Sequence, residues 1–276
     1  MQLIINCILL FGPSNKEINP MKSFKNIAFL AYLIIFGAAS FAAFPAHSAD
    51  KLYSPYVEQG EWELEYFGTR NVDSDANKDD AQKQQFSIGY GITERWKTEL
   101  YAKYNKDAQQ DLVFDAYEWE NIFQFTERGE NWVDVGGSLA YEFTPQEKTP
   151  DKIETRLLLA KDLDKTSHAL NLIFEKDIGD GPKAALEGKL IWSSRYNLSK
   201  YFEPGFEVSS DFGELKNFDK FDQQDHYVGP AAYGKIPLGF AGQFDAIKYR
   251  IGYLFGVSTA ASEGQSMAQL EYELRF

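Results

Sequence analysis

From residue 61 to the C-terminus, apolar and polar side chains alternate with a period of two, and no long stretch carries the 3.6-residue repeat of a helix. A period of two turns successive side chains to opposite faces, so the chain is committed to strands whose two faces meet different surroundings. In EWELEYF, Trp62, Leu64 and Tyr66 oppose Glu61, Glu63 and Glu65. In QFSIGYGI, Phe86, Ile88, Tyr90 and Ile92 oppose Ser87, Gly89 and Gly91. RWKTELYAKY sets Trp96, Leu100, Ala102 and Tyr104 against Lys97, Glu99 and Lys103, and WVDVGGSLAYEF sets Leu139, Tyr141 and Phe143 against Ser138 and Glu142. LVFDAYEWENIFQF alternates less cleanly, because Asp115 and Asn121 share a face with Val113, Tyr117, Trp119 and Phe123. About twelve such segments of roughly 8–13 residues follow one another, near the length a tilted strand needs to cross a bilayer.

The connections favour the same reading. The long acidic NVDSDANKDDAQ is followed by the tight Thr93-Glu94-Arg95, and longer and shorter linkers then alternate through most of the chain. Such a meander is the pattern of an all-β, closed up-and-down antiparallel transmembrane β-barrel of about twelve strands. A soluble sandwich or lipocalin-like barrel is the rival fold; a single long meander with Trp and Tyr at strand ends weighs against it.

The first residues read as a separate segment. Met21 to Asn26 is short and basic, Ile27 to Phe36 is apolar, and Ala46-His47-Ser48 offers small residues where a signal peptidase cuts. The expected organisation is an upstream extension at 1–20, a signal peptide at 21–48, with cleavage after Ser48 or Ala49, and a barrel at 49–276. Cleavage removes Cys7, the one cysteine, so disulfides and thiolate chemistry are excluded from the mature chain. The whole chain has 28 basic and 41 acidic side chains; losing Lys16, Lys22, Lys25 and Glu17 leaves 25 against 40, a formal −15. A surface of that sign repels phosphate backbones and excludes nucleic acid as a partner.

The chain ends in LEYELRF, apolar on one side at Leu270, Tyr272, Leu274 and Phe276 and charged on the other. A sheet in lipid must close, since an open edge leaves N–H and C=O groups unpaired at several kcal/mol each. The last strand is therefore expected to pair with EWELEYF. The ending resembles the C-terminal assembly signal of Gram-negative outer-membrane barrels, which alternates apolar residues and closes on Phe. That resemblance implies the bacterial outer membrane as location, with outer-membrane lipid and the barrel-assembly machinery as partners. GEWELEYFG, GITERWKTELYAKY, HYVGPAAYGK and KYRIGYLFG resemble uncharacterised proteobacterial outer-membrane barrels, some grouped as transporters of a phenol-degradation pathway. The likeness lies in strand texture over residues 59–276, and it implies passage of a small solute.

The expected lumen face carries both signs: Glu61, Glu63, Glu65, Lys97, Glu99, Lys103, Arg156, Lys189, Arg195, Lys248, Arg250, Glu271, Glu273 and Arg275. Eight strands make a filled barrel and sixteen a channel, so twelve leave two readings open. One is a narrow pore or transporter for a small solute, apolar or aromatic by the family resemblance, with a cation preference from the acidic excess. The other is a structural or adhesion barrel whose lumen is occluded by paired charges. A third, enzymatic reading places Ser209, Ser210 and His226 near one another at strand ends with Asp211 and Asp225, as an acyl hydrolase needs. No flanking hydrolase motif accompanies them, so no catalytic residue and no cofactor is assigned. Asp73, Asp75, Asn77 and Asp79 half-match a calcium loop, but Lys78 stands where Gly is needed and Gln84 where the distal Glu is needed, so no metal site is assigned either. Finally, Pro204-Gly205 and Gly229-Pro230 interrupt two successive strands. A hairpin whose paired numbers sum to about 435 sets them opposite each other, which leaves two readings: a pair of ordinary bulges, or a local seam through which an apolar solute could leave sideways.

Overall fold

A computed structural model of the chain describes residues 50–275 apart from 148, 182 and 240–244. The expected signal peptide and Phe276 lie outside the described residues. Twelve antiparallel strands form the fold: β1 (Glu61–Val72), β2 (Gln82–Thr93), β3 (Trp96–Lys106), β4 (Val113–Gln124), β5 (Asp134–Phe143), β6 (Asp151–Leu163), β7 (Thr166–Ile178), β8 (Glu187–Tyr196), β9 (Glu203–Glu214), β10 (Asp225–Pro237), β11 (Ala246–Gly256) and β12 (Gly264–Arg275). Each pairs with its sequence neighbours, and β1 pairs with β12, so the sheet is a closed barrel with no edge. The closure runs Glu61↔Arg275 to Val72↔Gly264, the pairing of EWELEYF with LEYELRF.

The end where β1 starts and β12 finishes is called here the base, and the opposite end the mouth. Two of the base connections, 94–95 and 164–165, are two-residue turns, while the base connection 125–133 is as long as the mouth loop 73–81. The long–short alternation is therefore softer than the sequence suggests, because Phe125 to Val133 forms a folded loop rather than a tight turn. In it Phe125 and Thr126 donate backbone N–H groups to Val135 O, and Gly129 takes a positive φ of 73°.

Pairing settles which face each residue takes. Leu100, Trp119, Leu139, Phe174, Trp192 and Phe255 all point outward and stay exposed, Leu100 at 58%. An apolar belt around the outside of a sheet, with charges inside, is the inverse of a water-soluble barrel and the arrangement a bilayer requires. The polar residues on this face are hydrogen-bonded sideways. Asn121 Oδ1 accepts from Trp96 Nε1 at 3.0 Å, and Thr98 Oγ1 accepts from Trp119 Nε1 at 2.8 Å. Asp115 falls at a bulge, where Lys103 pairs Ala116 and Tyr104 pairs Phe114, and Asn105 Nδ2 donates to it. These devices explain the imperfect alternation of β4.

Leu139→Arg sets a charge on this belt. We expect it to destabilise the barrel by about 2–4 kcal/mol if its site lies near the bilayer midplane. Reversible unfolding in lipid vesicles measures it, and a cost near zero means the outward face does not meet hydrocarbon.

Candidate functional site: a lumen filled by residues 50–60

The lumen is occupied by residues 50–60, a stretch outside the twelve strands. From Gly60 at the base, where its N–H donates to Gly91 O at 2.8 Å, the segment runs inward to Asp50, which meets Lys83 and Lys189 in the mouth half of β2 and β8. A stretch of eleven residues extends at most about 40 Å, enough for a belt roughly 25 Å tall. Its side chains are buried at alternate positions: Lys51, Tyr53, Pro55 and Val57.

Its contacts come from most of the barrel, from β1 through β8 and from β12. Tyr53 N donates to Asn171 Oδ1 at 2.7 Å, and Asn171 Nδ2 returns a bond to Tyr53 O at 3.0 Å. This reciprocal pair imitates one rung of a ladder with a side chain in place of a strand. Arg156 donates to Lys51 O at 2.8 Å and lays its guanidinium 4.4 Å from the Tyr53 ring centre. Val57 N donates to Gln124 Oε1 at 2.9 Å, and Tyr56 OH donates to Asp134 Oδ2 at 2.7 Å. Tyr53, Val57, Ile122 and Leu158 form a small apolar cluster beneath these bonds. Two inward-facing glycines make room. A Cβ at Gly91 would stand 2.0 Å from Glu58 O, and one at Gly136 would stand 2.9 Å from Pro55 Cβ.

Around the strap, charged side chains of the wall pair with one another. Lys97 meets Glu63 at 2.5 Å and Glu99 at 2.8 Å, and Lys189 meets Glu175 at 2.7 Å. Lys103 bridges Glu118 and Glu142, while Lys248 bridges Glu271 and Glu273. Arg250 grips Glu207 with two nitrogens, at 2.7 and 2.5 Å, and reaches Gln269 at 3.1 Å. Gln269 in turn donates to Glu65 at 3.2 Å. Arg156 pairs with Glu154, Arg195 with Glu203 at 3.2 Å, and Arg275 at the base with Glu58 of the strap at 2.9 Å. Glu61, Glu63 and Glu273 bring one oxygen each within 4.8 Å of one another, a spacing that suits a metal ion. Lys97 on Glu63, and Lys235 and Lys248 on Glu273, already supply positive charge there.

The two proline interruptions are not opposite each other. β9 and β10 pair Pro204 with Ala232 and Pro230 with Phe206, so the prolines lie on a diagonal, two residues out of step. The expected sum was one too small, which is enough to shift which residues face. Pro204 is the second residue of β9, a position proline tolerates, whereas Gly229 and Pro230 coincide with a lapse in β10–β11 pairing between Val228↔Phe255 and Ala231↔Gly252. On the outer wall here lies an apolar cavity of about 560 Å³ lined by Gly68, Phe202, Pro204, Pro230, Ala232, Ile251 and Ala268 among others.

The acidic loop turns its carboxylates onto its own backbone. Asp75 N and Glu263 N donate to Asp73, Asp73 N to Asp79, and Asn77 N to Asp75. The Asn77 backbone N–H, with its side-chain amide, holds the Asp75 carboxyl below its usual pKa, and the loop's bonds together occupy oxygens that a calcium ion would need. His226 stacks on Phe221, with ring centres 4.3 Å apart, and its Nε2 meets Gln224 Oε1 at 2.9 Å. Ser210 lies across the ladder from it, on the outward face, while Ser209 faces the lumen.

No family model and no curated protein matches this chain. Solved structures do. The NanC porin aligns with a TM-score of 0.50 at 9% identity, over 77% of this chain and 100% of that one. The KdgM porin in complex with disordered oligogalacturonate aligns with a TM-score of 0.48 at 10% identity, over 78% and 99%. At this identity the likeness to NanC establishes the fold alone, a closed antiparallel β-barrel.

Proposed function

We propose that this chain is a narrow channel of the bacterial outer membrane for a small solute, closed at rest by its own N-terminal strap. The observation that carries it is the strap itself. It is held by side-chain bonds and one small apolar cluster, with no ladder pairing, so it can leave while the barrel stays closed. Under cleavage after Ser48 or Ala49 the strap is the mature N-terminus, tethered only at Gly60. The surrounding wall is rich in carboxylates, which favours cations in a passage of this width. Refolded protein in a planar bilayer under a potassium chloride gradient tests this. Brief openings with a reversal potential of the cation-selective sign are expected, and anion selectivity would sink the reading.

A side exit through the wall is the second reading, favoured by the cavity over the lapse at Gly229-Pro230. Pro230→Val supplies the missing N–H and is expected to add about 0.5–1.5 kcal/mol of stability, the net worth of one hydrogen bond. Amide exchange of β10 and β11 should slow in this variant, and uptake of an apolar solute should fall. Unchanged exchange and uptake would leave an ordinary dent in the wall.

A further inference from the structure

The barrel holds Lys51 the way a binding site holds a small ammonium ion. Its Nζ donates to Glu65 Oε2 at 3.0 Å, Glu99 Oε2 at 3.0 Å and Tyr101 OH at 2.7 Å, all from the wall. An ammonium group has three donors, and the wall alone offers three acceptors. The Tyr101 ring centre lies 5.1 Å from the same nitrogen, within cation–π range. A second observation concerns Glu120, which pairs with Glu99 across β3 and β4 and points inward beside this cradle. It is 0% exposed, and neither carboxylate oxygen has a hydrogen-bond partner. A buried, unpartnered carboxylate is costly, and with Glu65 and Glu99 it sets three wall carboxylates against two cations, Lys51 of the strap and Lys97 of β3.

We propose that this cradle is the channel's recognition site for a primary organic ammonium, and that the strap occupies it with Lys51 until a solute displaces it. The proposal rests on the channel reading and names the solute class. The donor set selects it: a phenol and an aromatic face suit an organic ammonium, whereas a calcium ion takes six to eight oxygen ligands. Displacement of Lys51 removes one anchor of the strap, so binding and opening are coupled through a shared site.

Lys51→Ala removes Cγ, Cδ, Cε and Nζ, and n-propylammonium carries those same four heavy atoms. The test uses the refolded, processed chain, its folding checked by heat-modifiable gel mobility, at constant ionic strength. Propylammonium is expected to raise the melting temperature of Lys51→Ala with an apparent Kd at least about tenfold below that for the wild-type chain, while n-propanol does nothing. Adding Glu120→Gln on that background should weaken binding about tenfold, because it removes one of the three carboxylate charges around the ammonium. Equal affinity in wild type and Lys51→Ala, an equal response to propanol, or no effect of Glu120→Gln overturns the proposal. Melting reports binding without any current. Binding as expected with no conductance from a chain lacking the strap would overturn the channel reading alone.

Discussion

Replacing residues 50–58 with a glycine-serine stretch of equal length should turn rare openings into a steady current. The strap fills the lumen through contacts that a Gly-Ser chain cannot make: the Lys51 ammonium, the Tyr53 ring against Arg156, and Tyr53 and Val57 against Ile122 and Leu158. A docking free energy of only about 3 kcal/mol holds the open fraction below about 1%, since each 1.4 kcal/mol is tenfold. Burying one aromatic ring supplies about that much, because truncating a buried Phe or Trp to Ala costs about 3–5 kcal/mol. Tyr53→Ala alone should therefore raise the open fraction many-fold. The barrel's unfolding midpoint should shift far less, because no ladder bond is lost. Single-channel recording decides it: a linker variant as silent as the wild-type chain would mean that the wall itself is shut.

The strands were legible in the sequence because lipid and lumen impose opposite demands on alternate residues. Trp62, Leu64 and Tyr66 against Glu61, Glu63 and Glu65 is enough to assign both faces of β1. Closure was legible too, since EWELEYF and LEYELRF are both apolar on one face and charged on the other. Register was less so. The turn between β9 and β10 contains the irregular stretch around Phe221–Gln223, and a shift of one in the sum separates Pro204 from Pro230. The strap was invisible to pattern reading because its partners are scattered. Tyr53 bonds Asn171, 118 positions away, and Lys51 bonds Glu99, 48 positions away. One signal was present and unread: Lys51, Tyr53, Pro55 and Val57 alternate ahead of the first strand, and Gly91 and Gly136 sit on the charged face of strands that bulky residues would otherwise fill.

Arg250→Met should be the most damaging single change inside the barrel, at about 3–5 kcal/mol, the cost of leaving one member of a buried ion pair alone. Glu207 is fully buried, takes both guanidinium bonds and also accepts from Tyr233 OH. Arg250 passes the network on to Gln269 of β12 and thence to Glu65 of β1, so the cluster ties β9 and β11 to the strands that close the barrel. Removing the arginine strands a carboxylate away from water. Adding Glu207→Gln removes that charge and should recover most of the loss, because the penalty lies in the orphaned ion more than in the missing attraction. The size of the effect also reports on the lumen. A solvent-filled pore screens such a pair to about 0–1 kcal/mol, whereas a lumen packed by the strap does not. The same Arg250→Met measured in the strap-replaced chain should therefore cost less than in the intact one. Equal costs in both chains would mean that the strap does not control how far water enters.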